Sequence, residues 1–300
     1  MRRWVVWDPK GDLAVPSEGE VLLGVGSDSV DLEKLLMIGK GVLKFNSRDG
    51  IQYCSGLILD SFILALTTVP GGILNILGQY LMNSHGDTLA QSSLGVSVVF
   101  NLIVHNSVLL ATADRMGIVW SQTFGAGAYN LTRVKFNQGA IVLVSTFALI
   151  TLPLMLFSQE ILYWCGVKED LTIMTAQLIN KMILVNLLEN LHRFFETFCM
   201  AQGIESSISF ASLGCLLVSG TAAVYFVRGL GLGLDGWILG RGLHEVLMLL
   251  ISIYLMAKHT EPLTWGCASC DEIQKGLGTY FVESFKYALG SYTEQPWNSN

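Results

Sequence analysis

The stretch Leu187–Phe198, LLENLHRFFETF, lies in the second half of a long apolar run yet carries Glu189, Asn190, His192, Arg193 and Glu196. How those five side chains are accommodated decides the fold, because everything around them resembles a membrane span. With about 100° between successive residues, Lys181, Asn186, Glu189, Asn190, His192, Arg193, Glu196 and Thr197 share one half of a helix circumference. Ile183, Leu184, Leu187, Leu191, Phe194 and Phe198 lie opposite. The segment is an amphipathic helix, not an interrupted one.

Magnitudes decide where the polar half cannot face. About ten apolar residues between Met182 and Phe198 favour insertion by roughly 3 to 6 kcal/mol. Lys181, Glu189 and Arg193 exposed to acyl chains at depth would cost about 8 to 10 kcal/mol. Lipid exposure of the polar half is therefore excluded. Two arrangements satisfy it: a helix at the interface with its charged end among headgroups, or a bundle in which Asn186, Glu189, Asn190 and Arg193 line a water-filled cavity. The spacing of four also predicts that Glu189 pairs with Arg193 and His192 with Glu196.

The rest of the chain agrees with a membrane setting. Of its 300 residues 51% are hydrophobic and only 14% charged, and the mean hydropathy is +0.50, outside the range of soluble domains. The net charge is -6 and the 18 Lys and Arg residues form no basic patch interleaved with aromatics, so nucleic acid is not an expected partner. The opening MRRWVVWDPKG has an Arg pair but too short an apolar run for a signal peptide. Six scattered cysteines imply no disulfide framework. The CASC stretch, Cys267–Cys270, has metal-ligand spacing, but zinc needs four ligands and the nearest further candidate is His259. A flexible cytosolic loop without metal is expected there.

A span needs about 20 mostly apolar residues. Six segments qualify: Leu57–Met82, with a kink expected at Pro70, Gly71 and Gly72; Leu94–Ala113; Gly139–Phe157; Leu171–Met200; Ile208–Val227; and Gly236–Ala257. They divide the chain into an N-terminal tail (1–56), a six-helix transmembrane bundle (57–257) and a linker with a short C-terminal segment (258–300). The tail reads as soluble and mobile, with one amphipathic turn at Leu32, Leu35, Leu36 and Ile38. Lys40, Lys44, Arg48, Arg115, Arg133, Lys135 and Lys258 fall on one side of the bundle, Lys168 and Arg228 on the other. By the excess of positive charge, both termini are predicted to be cytosolic.

Polar stripes recur on other segments. Ser97, Asn101, His105 and Thr112 repeat at four and seven, Asn75, Gln79 and Asn83 at four, and the sixth segment carries Arg241, His244, Glu245 and Ser252. Taken singly, each residue could serve only as an interhelical hydrogen bond. Four such stripes together predict a shared polar interior.

Three motifs in order then resemble a known family. SQTFGAG (Ser121–Gly127) follows the second segment, RFFETFCMAQGI (Arg193–Ile204) ends the fourth, and GLGLDGWILG (Gly231–Gly240) opens the sixth. With the loop HGDTLAQSSLG (His85–Gly95), they resemble the multidrug and toxic compound extrusion (MATE) family of the eukaryotic kind. The resemblance implies an all-α membrane protein whose six transmembrane helices correspond to one bundle of a twelve-helix transporter. It implies export of organic cations or xenobiotics by antiport with protons or sodium, and no other cofactor. The acidic residue that prokaryotic members keep in the first helix has no match near Gly78 and Gln79, while Arg115, Glu196, Arg241, His244 and Glu245 stand where the family suggests small, amide or aromatic residues.

Proton coupling is therefore expected at Glu189 and Glu245 with His244 as relay. Substrate contacts are expected at Asn75, Gln79, Asn101, His105, Asn186, Asn190 and Arg193. Gln122, Gly125, Gly127, Gln202, Gly236 and Gly240 are expected to be structural: Gly125 and Gly127 for a tight turn, Gln202 for satisfying backbone groups where the fourth segment ends, Gly236 and Gly240 for close helix contact. A working pore is expected to need two copies, a homodimer. The alternative is a non-transporting membrane protein, a truncated product or a partner-binding subunit. No catalytic triad, phosphate loop or histidine-rich metal cluster points to an enzyme. Plasma and vacuolar membranes are equally compatible.

Overall fold

The computed structural model describes residues 69–288, apart from residue 85. The tail, its amphipathic turn, residues 57–68 of the first expected span and residues 289–300 lie outside the described residues. Residues 69–84 form helix α1, and the expected kink at Pro70 falls where the description begins. The chain continues through α2 (Thr88–Gly125), α3 (Tyr129–Leu156), the short α4 (Ser158–Trp164), α5 (Glu169–Ala201), α6 (Glu205–Gly229) and α7 (Gly233–His259). A 3-10 turn at Pro262–Thr264 leads to α8 (Cys270–Gln274) and α9 (Leu277–Ala288). No strand occurs among the described residues.

Five of these helices, α2, α3, α5, α6 and α7, are long and apolar enough to cross a membrane. Each extends past its hydropathy window because polar ends continue the helix. The 38 residues of α2 reach about 57 Å at 1.5 Å per residue, well beyond a hydrocarbon core of about 30 Å. The start of α2 is fixed by Asp87, whose carboxylate accepts the Ala90 N–H at 2.8 Å. Its end differs from the expected loop: Ser121–Gly125 stay helical, so Gly125 is the last helical residue, not part of the turn. The turn falls on Gly127, at φ +71, where the Ala128 N–H reaches back to Thr123 O at 3.0 Å. The Gln122 carbonyl accepts the Ala126 N–H at 3.0 Å in the same closure.

Among the described residues three helices contain a π-type turn: Leu102–Asn106 in α2, Phe147–Thr151 in α3 and Tyr225–Gly229 in α6. Such turns insert a residue and re-aim the side chains that follow. The first holds His105.

Packing is layered along the bundle. At one end Trp120, Phe194 and Phe198 stack edge-to-face at 5.2 to 5.3 Å with Met116, Ile208 and Met256 around them. At the other, Leu81, Met82, Leu94, Met182, Val227 and Trp237 form a second apolar core. Between them, in helix order, lies a polar layer. Meanwhile Ile76, Ile103, Leu149, Leu184, Phe210, Leu217 and Leu250 are exposed on the outside. Charged groups inside and leucines outside is the pattern of a protein whose outer solvent is lipid.

Gly236 and Gly240 lie where α7 meets α6. A Cβ at Gly240 would stand 2.4 Å from Ala223 Cβ, and one at Gly236 2.8 Å from the Phe226 carbonyl carbon. Only glycine permits this approach.

Residues 261–288 are not a free linker. Gln202 donates from Nε2 to Thr264 Oγ1 at 2.9 Å and accepts the Glu261 N–H at 3.0 Å, so it serves backbone of the segment after α7. Gln138 Nε2 donates to the carbonyls of Ile273 and Lys275 at 2.8 Å each. Arg115 pairs with Glu283 at 2.6 Å, and Lys135 lies 4.9 Å from the Tyr280 ring centre. The CASC stretch contributes Ser269 to a capping box with Glu272 at the start of α8, a local structure the expected loop lacked. That Ser269 bond holds the Glu272 carboxyl below its ordinary range.

Candidate functional site

Lys181 marks the rim of the bundle, not its depth: its ammonium meets Asp235 in the first turn of α7 at 2.5 Å, with both side chains more than half exposed. The residues of α5 before it run past the α6–α7 turn, which removes the cost assigned to Lys181 in the span. Counting inward at 1.5 Å per residue, Glu189 and Arg241 lie about 9 to 12 Å deeper and Glu245 and Glu196 about 15 to 23 Å deeper. That is the middle of a slab about 30 Å thick.

There α2, α5 and α7 bring seven ionisable side chains into one chain of contacts. Arg241 Nη2 donates to Glu189 Oε2 at 3.1 Å, while its Nε lies 2.9 Å from Glu245 Oε1 and its Nη1 donates to Gly71 O at 3.3 Å. Glu245 Oε2 lies 2.6 Å from His192 Nδ1, and His192 Nε2 lies 3.6 Å from Glu196 Oε2. Arg193 Nη1 donates to that same Glu196 oxygen at 2.9 Å. At the other end His105 Nε2 stands 3.8 Å from Glu189 Oε2. The contacts of Arg241 Nε and His192 Nδ1 with Glu245 are close in distance but lack hydrogen-bond alignment. They are ion pairs.

The expected pair of Glu189 with Arg193 does not form. Arg193 turns to Glu196, three residues on, and Glu189 is held by Arg241 from another helix. A guanidinium crossing from α7 satisfies Glu189 and Glu245 together, which a same-helix partner cannot do.

Around this network Asn186 Nδ2 donates to Asn101 Oδ1 at 3.1 Å, tying α5 to α2, and Asn190 is buried close by in sequence. His244 Nδ1 lies 3.3 Å from Ser219 Oγ of α6, a neutral partner. Glu189, Glu196, Glu245, His105, His192, His244 and Arg241 are all less than 9% exposed. Asn75 and Gln79 sit half-buried on α1, outside the network. Of the expected cavity residues, His105 and Arg193 thus enter a packed polar layer and Asn101 and Asn186 bond beside it, while Asn75 and Gln79 do not. A separate surface cleft of about 420 Å³ lies at the Lys181 end, lined by Asp87, Gln177, Lys181 and Asp235 among others, and contains none of them.

His192 and Glu196 meet as their spacing of four predicts, but they were not among the expected coupling residues, and it is Glu245 of α7 that draws them in. Their signal is the register of α7, which no local periodicity contains.

With imidazoles neutral, Glu189, Glu196 and Glu245 outnumber Arg193 and Arg241, so the network carries one net negative charge. Removing charge from water at this depth requires such internal pairing. An enclosed ionic layer within an inside-out helix bundle defines an integral, multi-pass α-helical membrane protein.

Comparison with known proteins narrows the class. The family model MatE matches residues 66–226, more than half of the chain, and the chain belongs to this family. Two solved structures share the fold. The eukaryotic MATE transporter AtDTX14 aligns with TM-score 0.63 at 20% identity over 75% of this chain and 50% of its own length. The Vibrio cholerae MATE transporter VcmN, in its bent form, aligns with TM-score 0.67 at 14% identity over 78% of this chain and 52% of its own. The chain thus spans about half the length of the solved transporters it matches. A search of curated proteins finds no match. Members of this family are transporters and the chain is not an enzyme.

Proposed function

We propose that this chain works as a secondary transporter of the MATE type that exchanges an organic cation or xenobiotic for protons or sodium. The carrying observation is the buried layer in which three carboxylates face two guanidiniums across α5 and α7. A site with a deficit of one positive charge in a medium of low dielectric is balanced by a bound cation, and two cations that compete for one site are exchanged, not co-transported. Asn101, His105, Asn186 and Asn190 flank the layer and supply neutral contacts for a substrate once helices separate. In this proposal two copies form the complete cavity, with both termini in the cytosol.

Efflux of a fluorescent cation from proteoliposomes under a proton or sodium gradient tests this. Glu189→Gln and Glu245→Gln should each abolish gradient-driven efflux while the protein still inserts and melts cooperatively. Unchanged efflux in both variants would remove the layer from coupling. A second reading, a non-transporting bundle that binds a partner, is favoured only by the half-length coverage; a monodisperse monomer by light scattering with no efflux would support it.

A further inference from the structure

We infer that His192, not a carboxylate, carries the exchangeable proton of the layer, and that the exchange of a monovalent cation is therefore one for one and electroneutral. This rests on the transport proposal above for its consequence, though not for its chemistry.

The geometry separates the three buried histidines, His105, His192 and His244. His105 faces one carboxylate, Glu189, which Arg241 already holds. His244 faces the Ser219 hydroxyl. His192 alone among the described histidines stands between two carboxylates on two helices, Glu245 of α7 at 2.6 Å and Glu196 of α5 at 3.6 Å, one at each ring nitrogen. An imidazole offers one N–H when neutral and two when protonated, so only the imidazolium gives each carboxylate a charged neighbour through this ring. Each carboxylate of the layer also has a guanidinium contact: Glu189 and Glu245 share Arg241, and Glu196 has Arg193. That geometry leaves the proton to the ring.

The other groups facing His192 or its partners are accounted for. On α5 these are Glu189, Arg193 and Glu196; on α7, Arg241, His244 and Glu245; on α2, His105 and, exposed beside Arg193, Asp114; on α6, Cys215 near Glu245. With His192 protonated the buried ion pairs balance. When the ring gives its N–H proton to water, the ring keeps the electron pair and the layer gains one negative charge, which one monovalent cation cancels. Sodium is a poorer occupant. A hard cation wants several oxygen ligands, and here every carboxylate already meets a nitrogen donor.

The test uses the full chain in nanodiscs with 15N-labelled histidine, the His192 signals assigned by their loss in His192→Asn. Both ring nitrogens should show protonation at neutral pH, and saturating ethidium should convert the ring to its neutral form with release of one proton per cation to a pH indicator. A ring that is neutral throughout, or that stays protonated under saturating ethidium, overturns the inference. In proteoliposomes His192→Arg fixes the charge: the melting temperature should persist while ethidium counterflow and proton-driven efflux both fall to the leak. Proton-driven efflux equal to wild type in that variant, or wild-type efflux that changes when valinomycin clamps the potential, also overturns it. If proton release on ethidium binding is seen but no preparation transports, the transport proposal fails while the assignment of the proton stands.

Discussion

Arg241→Met is the most revealing perturbation of the layer. The guanidinium contacts Glu189 at 3.1 Å, Glu245 at 2.9 Å and the Gly71 carbonyl at 3.3 Å, so a side chain of similar length without charge strands two buried carboxylates at once. Removing one partner of a buried pair costs about 3 to 5 kcal/mol. Two stranded acids push toward the upper figure, and protonation of one of them caps the loss below twice that value. At about 2 to 4 °C per kcal/mol for a unit of this size, the melting midpoint should fall by roughly 6 to 20 °C. Thermal unfolding in mild detergent, followed by circular dichroism at fixed pH, measures it. The control is Arg241→Met combined with Glu189→Gln and Glu245→Gln, which removes the stranded charges and should recover more than half of the loss. A single variant within about 2 °C of wild type, or a triple variant no more stable than the single one, would refute the view that pairing through Arg241 holds α5 to α7.

Two further outcomes follow from contacts outside the layer. Gly240→Ala places a methyl 2.4 Å from Ala223 Cβ and should cost about 1 to 3 kcal/mol as overpacking, with partial recovery in Gly240→Ala/Ala223→Gly in the same melts. Gln202→Ala removes bonds to Glu261 and Thr264, about 1 kcal/mol each, and hydrogen exchange should speed up across 261–264 while α5 core amides keep their protection.

Much of the fold was legible before any coordinates. Runs of apolar residues marked five described membrane helices to within a few residues at most ends, because hydrocarbon admits only helices with internally satisfied backbones in a bundle like this. The larger misses, at the end of α2 and the start of α3, occurred where helix outlasts hydropathy: Arg133, Lys135 and Asn137 are polar, and they remain helical on solvated or capped turns. The partner of Lys181, Asp235, was out of reach for a related reason. Hydropathy counts residues along one helix, whereas its depth is set by where α7 begins.

The sequence by itself determined that this chain is a membrane helix bundle with a polar interior, since the cost of charge in lipid and the 3.6-residue period act within a single segment. It also determined which residues share each stripe. Only the tertiary structure decided which stripe meets which: that Arg241 reaches Glu189, that Glu245 finds His192, and that Arg193 turns to Glu196. Those pairings depend on the rotation and axial register of α5 against α7, which are set by the close approach of Gly236 and Gly240 to α6 and by apolar packing above and below the layer. Coulomb energy falls off with distances fixed between helices, and no periodicity within one of them contains that information.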